Sequence, residues 1–310
     1  MREIKRGAVI GTGTMGPGMG AVLERAGIEV ALYDVSSEAL ERAAKGLELA
    51  RGVLERLETQ PVEGGDVRFE SDLTAALEGA DLVLEAVPEK LELKQQVFAD
   101  FERQVAPDAI LSSNTSGIPI TKIAEGLEHP ERVVGMHWSN PPQLIPMIEV
   151  IPGERTSQET IAAARSLIER IGYRASMLNK EVPGFVENRV LYAIMRECLA
   201  LVDEGVIDAE ELDLNVKWGI GYKLAVIPPM QLLDVAGLDI YESVAGYLNS
   251  ELSTESGVSE TITRLTAEGK LGLKSGGGLF SYSSDELAEL PAKRAKALVA
   301  LRKTLDAQEV

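Results

Sequence analysis

His137 and Glu149 are the two residues whose types and spacing could do chemistry together. His137 is one of only two histidines and lies in the run Gly135-Met136-His137-Trp138-Ser139-Asn140-Pro141-Pro142, ahead of Glu149 in an apolar stretch. A neutral imidazole accepts a proton near pH 7, and a carboxylate on its second ring nitrogen fixes the tautomer. The pair therefore predicts a general base. Two alternatives stay open: a structural histidine, or a glutamate facing solvent, since strand alternation alone does not fix its face.

A glycine-rich loop near the amino terminus predicts a dinucleotide site. The loop Gly11-Thr12-Gly13-Thr14-Met15-Gly16 follows an apolar strand and precedes a helical pattern, and Asp34 ends the next strand. Glycines allow the tight turn and the close approach of a diphosphate, and an acidic residue accepts the ribose hydroxyls. Because Asp34 would repel the extra phosphate of NADP, the pattern favours NAD. A base beside a nicotinamide implies alcohol oxidation, although an ordinary glycine turn is the alternative.

The first half of the chain alternates short apolar runs with helical patterns, which predicts an α/β fold with a Rossmann-like, doubly wound parallel sheet. A helical stretch at about residues 38–60 is interpreted as an insertion between the second and third strands. From residue 182 onward the pattern is helical, so we expect an NAD-binding domain at 1–181 and an all-helical domain for substrate binding and dimerisation at 182–310. The predicted strands are Gly7–Ile10, Val30–Tyr33, Leu82–Leu84, Ala109–Leu111 and Val133–Met136.

Composition excludes several classes of function. A net charge of -18 argues against a nucleic-acid surface, which needs clustered Lys and Arg. Cys198 is the only cysteine, so no disulfide or thiolate metal cluster can form within one chain, and no metal site is expected. The run Met1–Arg6 leads into a strand without signal-peptide features, and no apolar stretch has membrane length. We expect a cytoplasmic protein without membrane or nucleic-acid partners.

Several motifs together resemble the L-3-hydroxyacyl-CoA dehydrogenase family, nearly from end to end. Besides the histidine run, they are Leu84-Glu85-Ala86-Val87-Pro88-Glu89, Ser113-Asn114-Thr115-Ser116, Pro183-Gly184-Phe185-Val186-Glu187-Asn188-Arg189, Leu232–Asp239 and Lys270–Gly278. The resemblance implies that His137 is the catalytic base and Glu149 its partner.

The resemblance also assigns roles to residues that spacing alone does not single out. It implies that Ser116 and Asn188 hydrogen-bond near the reacting oxygen, and that Asn140 shapes the substrate site. A helix cap for Ser116 and a capping or turn role for Asn188 are the alternatives. The resemblance further implies a small-molecule substrate and a homodimer formed through the helical domain. Three further residues would lie along the NAD cofactor, namely Glu89, Lys94 and Asn114.

Two departures from the acyl-CoA enzymes bear on the substrate. Those enzymes usually read His-Phe-Phe-Asn-Pro, whereas this chain has Trp138 and Ser139 after the histidine. They also carry a lysine-rich helix after the second strand. In the same place this chain has Lys45, Arg51 and Arg56 together with five glutamates, so the electrostatic attraction for the phosphates of CoA would be weak. The five are Glu38, Glu41, Glu48, Glu55 and Glu58.

These departures resemble a branch that acts on free acids, such as a pyridine aldehyde acid, carnitine or gulonate. A hydroxyl or hydrated aldehyde near a carboxylate or thioester is therefore the expected substrate. A different class of function is also open, because a protein can keep a dinucleotide fold as a structural or binding module without turnover.

Overall fold

We describe residues 4–308 of a computed structural model. The sequence-based prediction at Met1–Arg6 thus falls partly outside the described residues. The chain divides into two compact units, Met1–Asn188 and Arg189–Val310. The domain boundary near residue 182 stays a prediction, and each unit is considered by itself below.

An eight-stranded sheet forms the centre of the first unit. Its strand order is β3-β2-β1-β4-β5-β6-β7-β8. This is a doubly wound arrangement, in which the order of the strands switches between β1 and β4. All neighbouring strands are parallel except β6 and β7, which are antiparallel. The strands are β1 (Arg6–Ile10), β2 (Glu29–Tyr33), β3 (Asp66–Glu70), β4 (Leu82–Glu85), β5 (Ile110–Ser113), β6 (Val133–Trp138), β7 (Met147–Pro152) and β8 (Arg174–Met177).

The strand β3 corrects the interpretation of the helix that follows β2. The helix α2 (Ser37–Arg56) connects β2 to β3, which pair in parallel, so it is a regular crossover connection and not an insertion. Ser36 caps it by accepting a hydrogen bond from the backbone N–H of Ala39. The helix also carries Arg42, so its basic and acidic residues are equal in number. The excess of glutamates over basic residues that was noted in the sequence is therefore absent within the bounds of the helix.

Two hydrophobic clusters cover the two faces of the sheet, as expected for a doubly wound fold. One contains Met19, Leu23 and Trp138, and the other contains Phe98 and Phe101. The helices of this unit besides α2 are α1 (Gly16–Arg25), α3 (Leu73–Leu77), α4 (Leu91–Gln104), α5 (Ile120–Ile123) and α6 (Gln158–Arg170).

The second unit is helical, in agreement with the sequence. The helix α7 (Glu187–Asp203) enters it, and π-helical turns follow at Val216–Gly221. Among its described residues, only Leu265 and Val299 are buried apolar side chains. The remaining helices are α8 (Ala209–Asn215), α9 (Tyr222–Leu224), α10 (Pro229–Ala236), α11 (Leu238–Leu248), α12 (Glu260–Ala267) and α13 (Ser284–Gln308). Within residues 4–308, no helix is both long and apolar enough to cross a membrane.

Candidate functional site

The antiparallel pairing of β6 and β7 brings the predicted base and its carboxylate together. His137 and Glu149 are directly opposite one another in the register. The Nδ1 atom of His137 lies 2.8 Å from Oε2 of Glu149. Both side chains are buried, so Glu149 does not face solvent and the open alternative for its orientation is wrong.

Hydrogen bonds hold Glu149 in its ionised form. Burial by itself raises the pKa of this carboxyl group, but the bond from His137 and the backbone N–H groups of Val186 and Glu187 outweigh burial and bring the pKa below its ordinary value. The two backbone donors reach Oε1 at 2.9 and 3.1 Å, leaving Oε2 for the imidazole. A carboxylate held in this way keeps the proton on Nδ1 of His137.

The other ring nitrogen of His137 is therefore the basic one. Its Nε2 atom has no hydrogen-bond partner among the described residues, although the residue is only 7% exposed. The ring also contacts Phe185, with 5.8 Å between the ring centroids. Phe185 is fully buried and adopts a positive φ of 50°, which fixes the chain just before α7. A buried, oriented and unpaired imidazole nitrogen can take a proton from a substrate hydroxyl.

Ser116 and Asn188 contact each other. The side-chain Nδ2 of Asn188 donates to the backbone carbonyl of Ser116 at 3.1 Å. Ser116 is exposed and does not cap a helix, because α5 begins later with Pro119 at its cap position. Asn140 is also exposed and precedes Pro141 in a cis peptide. The roles of these three side chains toward a substrate stay predictions.

A charged network that is buried at Lys94 and Glu85 reaches the surface at Glu89, next to Ser116. Glu89 accepts hydrogen bonds from the Thr115 hydroxyl and from the Ser116 backbone N–H, the latter at 3.0 Å. Lys94 is 1% exposed and pairs with Glu89 at 3.2 Å and with Glu85 at 2.7 Å. Both carboxylates thus hold the Lys94 ammonium group, and its place along the cofactor stays a prediction.

The residues after His137 divide between the two faces of the sheet. Trp138 packs in the hydrophobic core on the face of the sheet away from His137. Its ring centroid there lies 5.8 Å from that of Tyr173. Its backbone N–H donates to the Asn114 side chain at 2.9 Å. Ser139 is buried on the histidine side, and its hydroxyl donates to Glu187. Of the two departures from His-Phe-Phe-Asn-Pro, only Ser139 changes the polarity of the site.

The glycine-rich loop has the geometry that a dinucleotide requires. Gly11 has a φ of +106°, and an added Cβ would lie 2.6 Å from the carbonyl oxygen of Ala86. A Cβ on Gly16 would lie 2.5 Å from the carbonyl oxygen of Gly11. Gly13 is exposed with open space beside it, and the exposed Thr14 and half-buried Met15 follow. The loop is thus closed toward the protein and open outward, which fits a bound diphosphate.

Asp34 is held at the end of β2 by the same loop. Its Oδ2 atom accepts from the backbone N–H and the hydroxyl of Thr12, at 3.0 and 2.9 Å, and Oδ1 accepts from the N–H of Ser36. Partial burial raises its pKa, but these hydrogen bonds more than compensate and lower it overall. An ionised, oriented carboxylate at this position fits the ribose hydroxyls of NAD.

Three site residues also form a group that resembles a metal site. One ligand atom each from His137, Glu149 and Glu187 lies within 4.8 Å of the others. Proton donors already engage each carboxylate, because Glu149 accepts from His137 and two backbone N–H groups and Glu187 accepts from Ser139. The expectation that no metal binds here stays a prediction.

Neither the remaining histidine nor the cysteine is expected to take part in this chemistry. His129 is exposed and its Nδ1 contacts Glu131 at 3.1 Å. Cys198 is half-buried, and burial followed by the nearby Asp213 and Glu197 raises the pKa of its thiol. A raised pKa disfavours the thiolate and therefore a nucleophilic role.

Sequence reasoning did not identify four residues that organise the site. Glu85 is fully buried at the end of β4, and its pKa is raised by burial even though Lys94, Ser113 and the Val87 backbone favour its charged form. A charged residue ending an apolar strand was the available signal. Thr12, Ser139 and Glu187 stood inside quoted motifs but had no assigned role.

Comparison with known proteins identifies relatives along the whole chain. The family model for 3-hydroxyacyl-CoA dehydrogenase, NAD binding domain, matches residues 7–181. The model for 3-hydroxyacyl-CoA dehydrogenase, C-terminal domain, matches residues 184–282.

Individual relatives fall into two substrate groups. The 5-formyl-3-hydroxy-2-methylpyridine 4-carboxylate 5-dehydrogenase of Mesorhizobium japonicum is 51% identical over 99% of this chain and 100% of that protein. A crystal structure of an enzyme of that name, described as an NAD+ dependent dismutase, has a TM-score of 0.96 and 51% identity over 98% of this chain and 99% of its own. A probable 3-hydroxybutyryl-CoA dehydrogenase of Bacillus subtilis is 37% identical over 90% of this chain and 98% of that protein.

Proposed function

The chain belongs to the 3-hydroxyacyl-CoA dehydrogenase family and is an NAD-dependent oxidoreductase acting on CH–OH groups, and on that premise we propose that it oxidises 5-formyl-3-hydroxy-2-methylpyridine 4-carboxylate or a similar free acid. The observation that carries the proposal is the 51% identity to a dehydrogenase of that acid over essentially both full lengths. The cytoplasmic location expected from the sequence stays a prediction.

The charges on α2 support a substrate without CoA. Its four basic residues are matched by four glutamates, so the helix offers no net positive charge to a nucleotide phosphate. Arg51 is further engaged by Glu24 and Glu48 through ion pairs. The four basic residues are Arg42, Lys45, Arg51 and Arg56, and the four acidic ones are Glu38, Glu41, Glu48 and Glu55.

Within this proposal, His137 is the base. Its Nε2 atom takes the hydroxyl proton of the substrate, and Glu149 stabilises the imidazolium that forms. NAD, when bound, supplies the acceptor for the hydride that leaves the same carbon. Ser116 and Asn188, which meet through their own hydrogen bond, would orient the reacting oxygen.

An aldehyde enters the same chemistry as its hydrate. The hydrate, R–CH(OH)2, loses a hydride and a hydroxyl proton to give R–COOH, so the overall reaction yields the acid, NADH and one proton. The proton removed by His137 is then released to water. No change in the base or in its orientation is needed between an alcohol and a hydrated aldehyde.

A direct comparison of substrates tests the proposal. NADH formation at 340 nm should be measured with purified protein and NAD, using the pyridine aldehyde acid, L-carnitine, L-gulonate and L-3-hydroxybutyryl-CoA in parallel. A kcat/KM that is highest for the pyridine aldehyde acid supports the proposal. Preference for the thioester would overturn it and assign an acyl-CoA substrate, and NAD binding without turnover of any of the four would support a structural role.

We also propose that the chain forms a homodimer through its helical unit. The helix α11 exposes apolar residues at Ile240, Tyr241, Val244, Tyr247 and Leu248, which follow helical spacing. Only two apolar residues are buried among those described in the helical unit. This is fewer than the hydrophobic core of a unit of this size needs. A second copy of the chain would cover these surfaces, as in obligate dimers with large apolar interfaces.

A further inference from the structure

A second carboxylate lies beside the base and is not used by the reaction as derived above. Glu187 begins α7, and its Oε2 accepts a hydrogen bond of 2.5 Å from the hydroxyl of Ser139. One of its oxygens lies within 4.8 Å of a His137 ring nitrogen and of a Glu149 oxygen. Ser139 is only 3% exposed and Glu187 is half-buried.

The backbone fixes where this carboxylate can go. The N–H of Glu187 donates to Oε1 of Glu149, so the main chain at the start of α7 is tied to the catalytic pair. Ser139 follows His137 by two residues and holds the Glu187 side chain from the other side. The site therefore contains two separate acceptors, the unpaired Nε2 of a buried histidine and the Glu187 carboxylate.

We propose that Glu187, positioned by Ser139, accepts a hydrogen bond from the second hydroxyl of a hydrated aldehyde and so selects hydrates over simple alcohols. Hydrogen bonds between oxygen atoms span about 2.5–3.0 Å. One oxygen of Glu187 lies within 4.8 Å of a ring nitrogen of His137, so the two side chains are close enough to contact the two hydroxyls of one carbon. This inference rests on the proposed function, because it needs an aldehyde substrate.

The second hydroxyl has a defined fate in this arrangement. His137 takes the proton of the first hydroxyl while the C–H bond breaks and the hydride goes to NAD. The second hydroxyl keeps its proton during this step and becomes the hydroxyl of the carboxylic acid product. A carboxylate that accepts its hydrogen bond increases electron density on that oxygen, which stabilises the carbon as the hydride departs.

Reduction of an aldehyde to an alcohol does not use the Glu187 carboxylate. When an aldehyde is reduced to an alcohol with NADH, the reacting carbon carries one oxygen throughout, so there is no second hydroxyl for Glu187 to bind. Removing Glu187 should therefore affect hydrate oxidation and aldehyde reduction to different extents. A defect in folding or in NAD binding would reduce both reactions together.

The test compares these two reactions in the same preparation of each variant. For wild type, Glu187→Gln and Ser139→Ala, kcat/KM should be measured for oxidation of the pyridine aldehyde acid with NAD and for its reduction with NADH, with acid and alcohol quantified by chromatography. Glu181→Gln is the matched control, because Glu181 is a nearby carboxylate that accepts from the backbone of Thr121 instead.

We expect the ratio of oxidation to reduction to fall roughly 10- to 100-fold in Glu187→Gln, in line with loss of a hydrogen bond to a charged group. The ratio should fall less in Ser139→Ala, mainly through KM, and stay at the wild-type value in Glu181→Gln. An unchanged ratio in Glu187→Gln, with a wild type that oxidises the aldehyde, would overturn this inference alone. A wild type that oxidises only secondary alcohols would overturn both this inference and the proposed substrate.

Discussion

Nδ1 of His137 and Oε2 of Glu149 are joined by a hydrogen bond of 2.8 Å between residues that are directly opposite in the antiparallel strands β6 and β7. The sheet itself, and not a flexible loop, sets the orientation of the base. Because both side chains are buried, neither rotamer can change without disturbing the core. Loss of Glu149 should therefore remove the fixed orientation of the base.

Replacing His137 with glutamine should lower kcat on the order of 10²- to 10⁴-fold, because the general base is removed while a polar side chain of moderate size remains. NAD binding should stay near the wild-type value, since the glycine-rich loop and Asp34 are unchanged. The measurement is steady-state kinetics together with isothermal titration of NAD. Turnover at the wild-type level would contradict the assignment of the base.

Replacing Glu149 with glutamine should also lower kcat, on the order of 10²- to 10⁴-fold, by a different route. A neutral amide can donate to Nδ1 and so favour the tautomer that carries its proton on Nε2, which cannot act as a base. The activity of Glu154→Gln, an exposed glutamate in the loop after β7, serves as the control. A loss confined to KM would indicate a role in binding and not in orienting the base.

The lowered pKa of Glu149 predicts a specific dependence of stability on pH. A carboxyl group whose pKa is lower in the folded than in the unfolded state stabilises the fold fully above its unfolded value, near 4.3. That stabilisation is lost as the pH falls through the folded pKa. The difference in Tm between wild type and Glu149→Gln should therefore be largest at neutral pH and shrink below about pH 4. A constant difference between pH 7 and pH 3 would contradict this.

The sequence predicted the parts of the fold that bury apolar residues in regular patterns. The strands β1, β2, β4, β5 and β6 are internal, so their side chains are largely apolar on both faces. It gave no bounds for β7, although the run around Glu149 was recognised as apolar. It missed β3 and β8, which are the two edges of the sheet and carry Asp66, Arg68, Glu70 and Arg174. Edge strands are partly solvated, and the apolar pattern weakens accordingly. The missing β3 is also why α2 was interpreted as an insertion.

The candidate site was predictable only where its residues are close in sequence or bear a strong motif. The loop at Gly11 and the pair His137 and Glu149 meet that condition. Ser139 and Glu187 are 48 residues apart. Their meeting depends on positive φ angles at Gly184 and Phe185, which turn the chain toward Glu149. No periodic pattern encodes such a contact.

Asp34 should determine the choice between NAD and NADP. Replacing it with serine removes the charge that repels the extra phosphate of NADP and the acceptor for the ribose hydroxyls of NAD. We expect the preference for NAD, as a ratio of kcat/KM values, to fall about 10- to 100-fold, in line with loss of hydrogen bonds to a charged group. In Thr12→Val the backbone donor to Asp34 remains, so the preference should change less. A serine variant with unchanged preference would argue against this role.

The exposed apolar face of α11 should be the most sensitive place to disturb the homodimer. Leu248 lies on that face and is 41% exposed within one chain. Replacing it with aspartate would place a charge in the proposed interface, where burial without a partner is costly. Leu49→Asp is the matched control, because Leu49 is a 74% exposed leucine on α2 of the first unit. Sedimentation velocity should give a dimer for wild type and Leu49→Asp, and a monomer or aggregate for Leu248→Asp. A wild type that sediments as a monomer at micromolar concentration would contradict the homodimer, because the helical unit would then be stable with its apolar side chains in water.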